Sequence, residues 1–212
     1  MKAAAALALL FLVQDAALFE EKFGPKLGEG WTWVREDATA WKLDGGALKV
    51  KCLPGSIWYK RNDAKNFLMR RLPIAPTEAA PIAIDVTVDS APETNAEQCG
   101  LFLYYDDLNY VKLIRECNKK KPGIVLARKQ KGFPESLPAK EELKCPIQLR
   151  LVVTASRVSG SYKAAGDWVA LGDYDLPESE AELRIGLGAH GAAADADRWA
   201  TFTAFRISKA AK

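Results

Sequence analysis

The stretch Cys99 to Cys117, CGLFLYYDDLNYVKLIREC, decides how the chain reads. Two apolar-rich runs flank a polar centre, Asp106 to Asn109, and turn residues between runs of β-branched and aromatic residues predict a hairpin. Placing Tyr105 opposite Val111 aligns Leu103 with Leu113, Leu101 with Arg115 and Cys99 with Cys117. Leu101, Leu103, Val111 and Leu113 then share one face, the expected core side, because side chains alternate across a strand. The other face carries Phe102, Tyr104, Lys112, Ile114 and Glu116. Aromatic rings beside a lysine and a carboxylate suit a sugar-binding surface: flat apolar rings stack on the C–H faces of a pyranose, and charged groups hydrogen-bond its hydroxyls. The same residues also read as an ordinary solvated sheet face with cross-strand pairs.

Working outward, similar short runs recur on both sides. Ala47 to Cys52 follows a turn at Asp44, Gly45 and Gly46, with Leu48, Val50 and Cys52 on one face and Lys49 and Lys51 on the other. Ile82 to Val88, Ile124 to Lys129, Gln148 to Thr154 and Arg157 to Lys163 repeat the pattern. Trp168 to Leu171, Leu183 to Ala189 and Thr201 to Ile207 complete the set. Turns rich in Gly, Pro, Asp and Asn separate them, and helix is expected only over Asp63 to Met69 and Pro138 to Glu142. Strands at this spacing predict an all-β sandwich or barrel, and 212 residues suffice for one such domain.

The start of the chain reads as an export signal, with Lys2 before the apolar run Ala3 to Val13. That run is shorter than the ~20 residues a bilayer span needs, and no later segment is longer. A leader over residues 1–17, a sandwich over 18–212 and a secreted or periplasmic location are therefore expected. An even count of four cysteines, Cys52, Cys99, Cys117 and Cys145, suits disulfides in an oxidising compartment. The register above makes Cys99–Cys117 the first pairing to expect, which leaves Cys52 with Cys145, although three pairings are open. The formal charge is +3, with 30 basic and 27 acidic residues interspersed, and Lys119, Lys120 and Lys121 sit in a hairpin turn, which argues against a nucleic-acid partner.

Four ordered stretches carry a family resemblance. They are Trp41 to Leu48 (WKLDGGAL), Gly100 to Glu116 (GLFLYYDDLNYVKLIRE), Leu149 to Lys163 with Asp167 and Trp168, and Ile185 to Gly191 (IGLGAHG) with Phe202 to Ile207 (FTAFRI). Together they resemble the concanavalin A-like lectin/glucanase superfamily. Within it, the chain is similar to secreted domains related to the C-terminal β-sandwich of family 43 β-xylosidases and to the 3-keto-disaccharide hydrolase group. The resemblance implies an all-β, two-sheet antiparallel jelly-roll sandwich with a concave face in a superfamily that mostly binds or cleaves glycans. Fold alone does not choose among lectin, hydrolase and adhesion module.

A glycosidase needs two carboxylates facing one bond, and the E-x-D-x-x-E string of the superfamily's retaining glucanases is missing from this sequence. Glu116 stands alone on its strand, and Asp106 and Asp107 belong to a turn. The single histidine, His190, lies between Ala189 and Gly191 with no G-x-S-x-G nucleophile elbow to serve. No cofactor is expected. Asp195 and Asp197 offer the hard oxygens that Ca²⁺ takes, although AAADAD also reads as a solvated loop. For Trp168 the resemblance implies core packing, with a sugar platform as the other reading, and Trp58, followed by Tyr59 and Lys60, is expected at the open surface. The expected function is carbohydrate binding without catalysis, through Trp58, Tyr104, Lys112 and Glu116, with Arg128 and His190 at the margin. The alternatives are a glycoside hydrolase using carboxylates from separate strands and a structural or interaction domain. The last predicts that a loop covers Tyr104 and Lys112.

Overall fold

The computed structural model describes residues 17–139 and 143–210. The expected leader, apart from Ala17, lies outside the described residues. Strands β1 (Ala17–Glu21), β2 (Trp31–Val34), β3 (Trp41–Asp44), β4 (Ala47–Lys51) and β5 (Phe67–Arg71) come first. Then follow β6 (Ile82–Asp89), β7 (Gln98–Asp106), β8 (Asn109–Asn118), β9 (Lys121–Gln130) and β10 (Phe133–Ala139). The last are β11 (Ile147–Val153), β12 (Arg157–Lys163), β13 (Val169–Asp175), β14 (Arg184–His190) and β15 (Trp199–Lys209). Among the described residues the one helical turn is the 3₁₀ segment Ala38–Ala40, capped by the Asp37 side chain accepting from the Thr39 N–H. The helix expected over Asp63 to Met69 is not formed: Phe67 already starts β5, where Phe67 and Met69 bury one face and Leu68 the other. Residues Pro138 and Ala139 end β10, and the rest of the second expected helix falls outside the described residues. No helix among the described residues is long and apolar enough to cross a membrane.

The strands form two antiparallel sheets. The first runs β13-β12-β11-β6-β15-β4-β3, with β1 also paired to β15. The second runs β10-β9-β8-β7-β14-β5-β2. Alternation explains why they stack. In β6, Ile82, Ile84, Val86 and Val88 point inward and Asp85 and Thr87 outward; in β11, Ile147, Leu149, Leu151 and Val153 do the same against Gln148 and Arg150. From the second sheet, Leu101, Leu103, Leu113, Leu126 and Leu187 meet them in one continuous core. The β3–β4 turn uses Gly45 and Gly46 at φ +60° and +79°, as a two-residue hairpin of this hand requires.

The central hairpin keeps its predicted faces and changes its register. Leu103 pairs with Val111, Leu101 with Leu113, and Cys99 with Arg115 rather than Cys117. Tyr105 is taken up by a bulge between Tyr104 and Asp106, and the turn closes between Asp106 and Asn109, held by Asp106 accepting from the Leu108 N–H at 2.7 Å and from Asn109 Nδ2 at 3.0 Å. The slip is two residues, so each side chain stays on its predicted face while the two cysteines part. Cys117 instead lies opposite Pro122 on β9. Cys52, Cys99, Cys117 and Cys145 are all free thiols, which corrects the expected Cys99–Cys117 and Cys52–Cys145 bridges. Cys145 Sγ donates to the Ser90 carbonyl at 2.9 Å, and Cys117 Sγ to the Glu93 carbonyl at 3.3 Å.

Candidate functional site

The outer face of the second sheet is covered. The segment between β4 and β5 folds back over it, and Ile57 and Ala64 pack with Phe67, Met69, Phe102, Tyr104, Tyr110 and Ile114 in a second apolar cluster. The Ile57 carbonyl accepts from Tyr110 Oη and Lys129 Nζ, both at 2.9 Å. Asp107 forms the second clasp, accepting from Tyr104 Oη at 2.6 Å, from Arg35 Nη1 at 2.8 and 2.9 Å, and from Asn62 Nδ2. Burial pushes the Asp107 carboxyl up, but the hydrogen bonds from Tyr104, Asn62 and Arg35 outweigh it and hold the group below its ordinary range. Arg35 also ties the segment from the side, donating from Nε to the Ala64 carbonyl at 2.6 Å.

The residues expected to bind a ligand therefore have different surroundings from those foreseen. Tyr104 and Lys112 are 3% and 2% exposed, beneath the covering segment rather than open to a sugar. Lys112 Nζ donates to Gln98 Oε1 at 2.5 Å and lies 4.5 Å from the centre of the Trp58 ring, so Trp58 is partly buried as the lid over this lysine. Burial pushes the Lys112 ammonium down to about 8, and burial pushes the Glu116 carboxyl up against the lowering effect of Lys112. His190 lies under the same cover, fully buried between Phe67 and Phe102, with neither ring nitrogen partnered. Desolvation, then the charges of Lys112 and Arg35, press it down to about 3. Arg128 sits on the opposite side of its sheet, joined to Glu135 and to the Asp175 carbonyl at 3.1 Å. The covering segment, Trp58 included, thus lies over Tyr104, Lys112 and His190, with half-buried Glu116 within reach of the Lys112 charge, and Arg128 is not among them.

The open concavity is on the other sheet. Strand pairing lines up Glu20, Arg206, Asp85 and Arg150 in one row across β1, β15, β6 and β11. Thr203, Thr87 and Gln148 form the next row. A bulge at Ala204, φ +52°, bends β15 beside them, and Trp168, just before β13, stands at the far side. All of these but Thr203 line a groove of about 660 Å³. Arg150 is held as a fixed fork, Nε 2.6 Å and Nη2 3.0 Å from the two Asp85 oxygens, with its guanidinium 4.3 Å from the Trp168 ring centre. Glu21, at the groove's edge, is occupied: it accepts from the Phe23 and Gly28 N–H groups at 2.9 Å and from Trp31 Nε1 at 2.8 Å. The expected core position of Trp168 is corrected to a groove wall, and no local sequence signal marks it, since its partner Arg150 is 18 residues away. Among the described residues no group of three or more His, Cys, Asp or Glu is gathered for a metal, and Asp197 faces Lys51 Nζ at 3.0 Å.

The family profile described as the β-xylosidase C-terminal concanavalin A-like domain matches residues 19–208. The chain belongs to that family. Among solved structures it is similar to a mutant of the GH43 protein BlXynB from Bacillus licheniformis, at 22% identity and TM-score 0.79, over 90% of this chain and 39% of that one. The xylan β-1,4-xylosidase of Bacillus halodurans C-125 follows at 16% identity and TM-score 0.74, over 97% of this chain and 41% of that one. A functionally unknown protein from Saccharomyces cerevisiae is similar over 86% of this chain and 98% of its own, at 13% identity and TM-score 0.69. This member of the family thus spans about two fifths of the glycosidase structures it matches, and shares its extent with the yeast protein. No curated protein matches it.

Proposed function

We propose that this concanavalin A-like domain is an exported, non-catalytic carbohydrate-binding sandwich that meets its ligand in the open groove of the first sheet. The observation that carries this reading is the groove itself: an indole beside a guanidinium locked by a bidentate carboxylate, with Thr87 and Gln148 on the floor. A sugar needs an apolar edge for its C–H groups and fixed donors and acceptors for its hydroxyls, and these residues supply both. A non-catalytic role is supported by the engagement of the nearby carboxylates. Asp85 is paired to Arg150, Glu20 lies 3.5 Å from Arg206, and Glu21 holds the chain around Gly28. Export is supported by the leader-like start. Because similar domains belong to proteins described as xylosidases, xylo-oligosaccharides are the first ligands to try. A glycan array on the mature protein, repeated with Trp168→Ala and Arg150→Ala, tests the proposal. Binding lost in both variants supports it; binding unchanged in both refutes the site.

The covered hairpin face favours a second reading, an interaction domain without a small ligand. It predicts no glycan binding by the wild type at all.

A further inference from the structure

A second groove lies between β2, β5, β7 and β14, at the end of the second sheet, and encloses about 490 Å³. Its lining is strongly basic: Arg70, Arg71 and Arg184 face a single carboxylate, Glu182, with Tyr105 and Thr32 beside them. Pairing sets Arg184 directly opposite Arg71 on the neighbouring strand. Like charges placed directly opposite destabilise a sheet pair. Glu182 relieves one of them, lying 2.7 Å from Arg71 Nε. Arg184 has no carboxylate within ion-pair distance among the described residues, and its guanidinium rests 5.1 Å from the Tyr104 ring centre. Arg70 is packed against the Phe19 and Trp31 rings, 3.1 and 5.3 Å from their centres, with Nη1 buried and unpartnered. Arg184 is thus left without a carboxylate at the concavity, while Arg70 behind it feels the charge of Glu21. The Tyr104 ring holds Arg184 in place, so little of its side-chain entropy would be lost on binding, and Arg71 is exposed and held by Glu182.

We propose that this groove is an oxyanion site, recognising the carboxylate or sulfate ester of an acidic saccharide through Arg184 and Arg71, with Arg70 adding charge from behind. The guanidinium fork matches a planar carboxylate or a sulfate edge by two parallel hydrogen bonds, and the register sets Arg184 and Arg71 at facing positions of neighbouring strands. The saccharide part of the claim rests on the carbohydrate-binding reading above; the oxyanion part does not. Glu182 then acts as a placeholder: an arriving anion competes with it for Arg71.

The test is an NMR titration that follows the arginine Nε–Hε signals with three probes: sodium sulfate, tetragalacturonate and neutral xylotetraose. Tetragalacturonate is expected to shift the Arg184 and Arg71 signals and to bind more tightly than xylotetraose at low salt, with the advantage shrinking as salt rises. Arg184→Ala should weaken tetragalacturonate binding about ten- to hundredfold, the range for losing a charged hydrogen-bonding partner. Glu182→Gln should strengthen it several-fold, a gain that misfolding cannot mimic. Equal affinity for the acidic and neutral tetrasaccharides, or no gain from Glu182→Gln, overturns the proposal. If no saccharide binds while sulfate still shifts both arginine signals, the oxyanion site stands and the carbohydrate reading falls. If xylotetraose binds while neither anion shifts either signal, the carbohydrate reading survives and this site is rejected.

Discussion

Replacing His190 by leucine should make the protein more stable, and most of all in acid. His190 is 1% exposed, flanked by Phe67 and Phe102, and neither of its ring nitrogens has a partner. Its folded pKa falls from 6.5 to about 3, first through desolvation and then through Lys112 and Arg35. The unfolded chain therefore takes up a proton between pH 6.5 and 3 that the folded chain refuses. Stability rises with pH through that window: the contribution is complete above 6.5 and is lost progressively on the way down to 3. At ~1.4 kcal/mol per unit, the full window is worth roughly 5 kcal/mol, a large part of the stability of a domain this size. His190→Leu removes both the titration and the two unpaired nitrogens. At pH 7 the gain should be about 1–3 kcal/mol from the relieved polar burial, and at about pH 4 it should be larger by roughly 3 kcal/mol. Urea unfolding of both proteins at neutral and acid pH measures the difference, and the C2–H resonance of this sole histidine reports its titration without ambiguity. An imidazole that titrates near 6.5 in the folded protein, or two proteins that lose stability in parallel on acidification, would refute the reasoning.

Two further outcomes test the packing and the thiols. Gly186 on β14 has no room for a methyl group, which would collide with the Leu68 carbonyl oxygen and the Met69 sulfur on β5; Gly186→Ala should cost about 3 kcal/mol or more, read as a lowered urea midpoint. Four free cysteines predict that protein denatured without reductant takes up four alkyl groups by mass, and fewer would show a bridge. In the folded protein Cys145 should react first, because the other three are buried and burial pushes the Cys99 thiol up to about 12.

Local pattern was enough for much of the fold. The run IAIDVTV placed β6 and its inward face, Asp-Gly-Gly placed the β3–β4 turn, and alternation assigned the core side of the central hairpin correctly. Its register was not legible, because a bulge at Tyr105 depends on how the Asp106 side chain closes the turn, which period-2 alternation does not encode. A slip of two residues leaves the hydrophobic pattern intact but moves Cys99 away from Cys117, so the disulfide expectation failed while the face assignment held. The covering of Tyr104 and Lys112 was equally hidden. It depends on Ile57, Arg35 and Asn62 reaching residues tens of positions away, and the segment that brings Ile57 and Asn62 carries the Gly, Pro and Asn content of an ordinary solvated loop. The groove on the first sheet draws Glu20, Asp85, Arg150, Trp168 and Arg206 from separate parts of the chain. Each looks like a routine outward residue on its own strand or turn, and only strand order and register set them in a row.

We propose that the first sheet, and not the hairpin face, meets carbohydrate. The chain has six tryptophans, so a ¹H–¹⁵N spectrum offers an indole N–H signal for each, Trp168 at the groove and Trp58 in the covering segment among them. Titrating xylotetraose into the mature protein should shift the Trp168 indole signal in a saturable way and leave Trp58 in place. A saturable shift at Trp58 with Trp168 unmoved would contradict the account and return the site to Lys112 and its neighbours.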